Sequence, residues 1–116
     1  MTDDILTLEL RAAAQEVREI NSANGWYETD RTVGEGIALI HSEVSEMLEA
    51  YREWGTSDAT KDGLGAKPEG FGSEAADVLV RLLDECDRQG IDLGWEFRRK
   101  LAHNRTRGYR HGGKRI

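Results

Sequence analysis

Two acidic pairs, Glu43-x-x-Glu46 and Glu74-x-x-Asp77, are the residues of this chain best suited to chemistry. Residues three apart share one face of a helix, so each pair presents two carboxylates side by side. If the two segments pack together, four carboxylates converge, and like charges in a partly desolvated site repel strongly. A divalent cation relieves that repulsion. Carboxylate oxygens are hard donors, so the ion they fit is Mg2+, with Mn2+ as the alternative, rather than a zinc held by His and Cys. A single pair of this kind is as readily a solvated acidic face.

The segments that must carry these residues read as helices. From Val33 to Trp54, at about 100° per residue, Ile37, Ile40, Val44, Met47, Leu48 and Tyr51 fall in one apolar sector, the ordinary core stripe. Leu39, Ala50 and Trp54 project elsewhere, interleaved with Glu43 and Glu46, so those carboxylates look partly enclosed. From Ser73 to Gln89 the stripe is Ala75, Val78, Leu79, Leu82, Leu83 and Cys86. Glu74 and Asp77 lie beside it near the helix start, where the helix dipole favours negative charge.

A first helix is expected from Asp4 to about Asn24, followed by a connector holding Trp26 and Tyr27. Thr32-x-x-Glu35 is a capping-box pattern opening the second helix. Gly55 to Gly72 is a long glycine-rich loop of the kind that serves as a lid or binding loop, and Ser73 is the expected N-cap of the third helix. Asp92 can cap a fourth helix running to about Arg107, with Leu93, Phe97 and Leu101 as its docked stripe. A basic flexible tail follows from about residue 108. No stretch alternates long enough for a strand, so the expected class is all-α: a single domain over residues 1–116, a bundle of about four helices.

Hydrophobic residues make up only 38% of the chain, too few for a thick monomeric core, so oligomerisation is expected to complete it. No apolar run approaches a membrane span and the N-terminus lacks a secretory pattern, which points to a soluble cytoplasmic protein. The lone cysteine, Cys86, is expected to be a buried, inert thiol. The net charge of −6 hides a polar distribution, with residues 96–116 carrying +7 and the remainder −13. Such a split suits an anionic ligand shared between metals on the acidic side and cationic side chains on the basic side. A basic arm also fits nucleic acid.

In order and separation, Glu43-Val44-Ser45-Glu46, Glu74-Ala75-Ala76-Asp77 and Lys100-x-x-x-Asn104-x-x-Arg107 resemble the motifs of the MazG-like all-α nucleoside triphosphate pyrophosphohydrolases, small phage-type members especially. The resemblance runs from about Trp26 to the C-terminus. It implies hydrolysis of a nucleoside triphosphate, a deoxynucleotide being favoured, between the α and β phosphates. Mg2+ would be held by Glu43, Glu46, Glu74 and Asp77, with Lys100, Asn104 and Arg107 on phosphate oxygens. Glu46, ahead of Glu43, is the candidate to accept the proton of the attacking water. Trp26 and Trp54 occupy places comparable to base-stacking aromatics, a contact worth about 1–3 kcal/mol.

The resemblance further implies a homodimer or homotetramer, located in host cytoplasm if the chain is phage-encoded. Arg81 stands where a tyrosine often follows the second acidic motif, so sugar discrimination by that tyrosine does not carry over. His41 is expected to be structural, and His103 and His111 to assist phosphate contact or solubility. The competing reading is a non-catalytic nucleic-acid-binding or helical interaction module using the basic C-terminal arm. It explains the charge split but not two acidic pairs set beside apolar side chains.

Overall fold

The computed structural model describes residues 4–57, 68–113 and 115. Four long helices run through them: α1 (Ile5–Ala23), α2 (Val33–Trp54), α3 (Phe71–Arg88) and α4 (Leu93–Thr106), followed by one short turn, α5 (Arg110–Gly113). The class is all-α. Three of the starts are fixed by side-chain caps. Asp4 accepts from the Thr7 N–H at 3.0 Å, Thr32 Oγ1 from the Glu35 N–H at 3.1 Å, and Asp92 from the Trp95 N–H at 3.0 Å. Each satisfies a donor that the first helical turn leaves unpaired.

The third helix starts differently from the sequence expectation. Its N-cap is Gly70, at φ +120° with no side-chain cap bond, which places Ser73 inside the first turn rather than before it. That backbone conformation is open to glycine and closed to most L-residues. Most of the glycine-rich loop, residues 58–67, lies outside the described residues, as do Lys114 and Ile116 of the tail.

α2 and α3 form an antiparallel hairpin, the most extensive helix pairing in the fold; α1 packs on α3 and α4, while α4 touches α1 and, slightly, α3. The two helices approach closely at Gly36, which is buried against Glu85. At the other end, Tyr51 meets Phe71 edge-on with ring centroids 6.5 Å apart. A second close approach joins α1 to α4, where Gly94 faces the carbonyl of Thr7. Arg11 to Asp92 at 2.6 Å and Arg98 to Asp4 at 2.6 Å fasten that crossing.

Among the described residues, the buried apolar side chains are Ala50 and Leu83, joined by the polar Thr7, Asp84 and Glu85. The centre is therefore ionic as well as apolar. Asp84 accepts from Tyr27 at 2.9 Å, Arg31 at 2.7 Å and Arg88 at 3.0 Å. Burial alone would raise the Asp84 pKa, but donation from Tyr27 and Arg88 outweighs it and holds the carboxyl below its ordinary value. These bonds fasten the Trp26–Arg31 connector to α3.

The α2 stripe that the sequence assigns to the core is half exposed in the single chain. Ile37, Val44, Leu48 and Tyr51 keep between 48% and 53% of their surface, and Val33 ahead of them 47%, while Ile40 and Met47 are partly covered. The reason is geometric. α3 packs on the α2 sector holding Gly36, Glu43 and Ala50, where small residues let the helices come close. Leu79 and Leu82 of α3 continue the same exposed apolar surface. No helix among the described residues is long and apolar enough to cross a membrane.

Candidate functional site

The antiparallel hairpin sets the two acidic motifs opposite each other. Glu43 of α2 and Glu74 and Asp77 of α3 each offer an oxygen, all within 4.8 Å of one another. Adjacent oxygens around a small divalent ion bound at about 2.1 Å stand about 3 Å apart, a separation that modest side-chain rotation reaches from here. The donor set, all carboxylate oxygen, fits a hard cation such as Mg2+ or Mn2+. Glu46 lies beside this trio rather than within it. It is exposed and shares a hollow of about 180 Å3 with Glu74, Glu69 and Trp54.

Glu74 bears the electrostatic cost. Partial desolvation, then the charges of Asp77, Glu43 and Glu46, push its pKa above the ordinary value. A bound cation would reverse that shift. Among the described residues, the cation paired to the trio is Arg81, whose Nε donates to Glu43 Oε1 at 3.2 Å.

A second hollow, of about 280 Å3, opens beside the cluster. Glu43, Asp77 and Asp84 line it together with Trp26 and the guanidinium groups of Arg31, Arg81 and Arg88. Trp26 is 63% exposed, its indole free to take a planar ligand, and Trp54 is 39% exposed over the other hollow. The two indoles therefore serve separate hollows. A larger depression, of about 840 Å3 and open to solvent, lies along Arg18, Tyr27 and Asp87 and includes none of the acidic motif residues.

Lys100, Asn104 and Arg107 are exposed on and just beyond α4, which has no contact with α2 among the described residues. One chain thus brings the acidic motifs together without bringing the basic motif to α2. His41, expected to be structural, is exposed, as is His103. Cys86 is half-buried rather than buried, and desolvation raises its thiol pKa, which keeps it unreactive.

Sequence reasoning missed Arg31, Arg88 and Asp84 as neighbours of the site. Asp84 and Arg88, at helical i, i+4 spacing, carried one readable signal. Comparison with known proteins adds no relative: no family model, curated protein or solved structure matches the chain.

Proposed function

We propose that this chain hydrolyses a nucleoside triphosphate, a deoxynucleotide first among the candidates, to the monophosphate and pyrophosphate with Mg2+. The observation that carries the reading is the convergence of Glu43, Glu74 and Asp77 from two helices, with Glu46 alongside. The ion they would hold supplies charge neutralisation on the polyphosphate and acidifies water. Glu46, outside the tight trio, is free to accept the proton of a water attacking the α phosphorus. The bond from that phosphorus to the bridging oxygen breaks, and pyrophosphate leaves with its electron pair. Trp26 supports the base from the adjoining hollow.

Lys100, Asn104 and Arg107 enter this reading from a second copy of the chain, since α4 does not meet α2 in one chain. The half-exposed stripe from Val33 to Tyr51 offers a surface for that copy, and a single chain buries too few apolar side chains to form a thick core.

The test is a panel of ribo- and deoxynucleoside triphosphates with Mg2+, products resolved by ion exchange. Monophosphate and pyrophosphate as first products support the reading; diphosphate with free phosphate refutes it. The exposed basic face of α4 favours one second reading, contact with a nucleic-acid backbone. It requires salt-dependent binding to DNA or RNA without turnover.

A further inference from the structure

Arg81 occupies a position that a metal-binding carboxylate cluster would not be expected to tolerate. It stands one helical turn after Asp77, and its Nε donates to Glu43 Oε1 at 3.2 Å, the Glu43 side chain being only 15% exposed. A guanidinium there offsets the repulsion among the carboxylates without any ion. Yet a divalent cation bound to Glu43 would place two further positive charges within a few ångströms of it, in a site only partly screened by solvent. The cation and the guanidinium therefore compete for one carboxylate.

The hollow beside the cluster gives the guanidinium somewhere to go. Arg81 is 33% exposed there and lines the hollow together with Arg31 and Arg88. Arg88 is held by Asp84 at 3.0 Å, and Arg31 by Asp84 and Glu85. Arg31 nevertheless retains a buried Nε with no acceptor among the described residues. Asp84 lines the hollow as well and engages the guanidinia of both Arg31 and Arg88, so Arg81, whose carboxylate partner is Glu43, is the cation there best placed to turn to an occupant rich in anionic oxygens. A guanidinium, with its forked donors, suits phosphate oxygens as well as carboxylate.

We propose that Arg81 is an exchangeable counter-ion: it pairs with Glu43 in the ligand-free protein, is displaced from Glu43 by the divalent ion, and turns to the phosphate oxygens of the substrate. It is a positioning residue for metal entry and a contact residue for the polyphosphate. The inference rests on the metal-dependent reading above. It makes metal and polyphosphate mutually reinforcing, because each favours the arrangement in which Arg81 has left Glu43.

The experiment measures Mn2+ affinity by electron paramagnetic resonance in nucleotide-free protein, for the native chain, Arg81→Gln, Arg81→Met and Glu43→Gln, with folding checked by circular dichroism. Removing a competitor tightens metal binding, by about fivefold or more if the coupling is in the range usual for linked sites. A purely structural Arg81 would give the opposite, since its loss would loosen the carboxylates. The same Arg81 variants raise the Michaelis constant for the triphosphate. If the native chain binds Mn2+ in a Glu43-dependent way and both Arg81 variants bind it equally or more weakly, the exchange is refuted while the metal site stands. If the native chain binds no Mn2+, or Glu43→Gln leaves binding unchanged, the metal-dependent reading falls and the exchange with it.

Discussion

Replacing Gly36 with alanine tests how the α2–α3 hairpin is closed. At an exposed helical position this change stabilises by about 1 kcal/mol, because alanine loses less backbone entropy than glycine. Gly36 is buried, and a Cβ there would stand 2.5 Å from Glu85 Cδ and 3.3 Å from its Cγ. The carboxylate can swing away without moving the backbone. In doing so it leaves Arg31, 3.1 Å from its Oε1, and Gln89, 2.9 Å from its Oε2. The Arg31 and Glu85 side chains are 15% and 9% exposed. Breaking a buried ion pair costs about 3–5 kcal/mol, and this pair, not fully buried, belongs at the low end. With the helix gain set against it, Gly36→Ala should destabilise by about 2 kcal/mol. Urea unfolding followed by circular dichroism reads this as a lower midpoint at unchanged slope. In a Glu85→Ala background the same change should stabilise, because the obstructing carboxylate is gone. Gly36→Ala as stable as the parent in the native background would refute this account of the hairpin.

Glu74 holds its proton above the ordinary carboxylate pKa of 4.5, so the stability it contributes is complete below that value and lost as pH rises through the raised pKa. Glu74→Gln should therefore raise the Tm of metal-free protein at pH 7, with the gain fading at acid pH; a fall at neutral pH would contradict the crowding of charge. Lys100→Ala and Arg107→Ala should raise KM or lower kcat for the triphosphate with little change in Tm. Full activity combined with lost, salt-sensitive DNA affinity would move the basic motif to the nucleic-acid reading. Leu48→Glu, in the half-exposed stripe of α2, should shift sedimentation from an oligomer to a single chain, and a native protein already monomeric at micromolar concentration would remove the case for a second copy.

The helices were legible because their signals are local. Thr32 and Asp92 cap where their side chains and spacing indicate, α1 begins just after Asp4, and the 3.6-residue period of α2 is plain. The start of α3 was not, because Gly70 ends the preceding chain by its backbone conformation rather than by a capping side chain. Pairing Glu43 with Glu74 and Asp77 needed only that two helices lie antiparallel. The burial of Asp84 and Glu85 runs against ordinary hydropathy, since charged residues are rarely buried without partners. Their chief partner, Arg31, lies in a distant connector, and nothing in the periodicity of either segment links them. Nor does the pattern of α2 reveal which apolar residues stay uncovered: periodicity marks a face and leaves open what covers it.

On α2, Glu43 immediately precedes Val44, so about 100° of helix rotation separates the acidic cluster from the half-exposed stripe. α3 repeats the division, with Asp77 and Arg81 toward the cluster and Leu79 and Leu82 on the uncovered side. The same two helices thus present an acidic edge and an apolar one at neighbouring positions. Substitutions along Val33, Ile37, Val44 and Leu48 can retune who sits beside the hairpin while leaving its carboxylates in register. Because the proposed site would draw Lys100, Asn104 and Arg107 from a second copy, a new neighbour on that stripe would reach the chemistry without altering a single carboxylate.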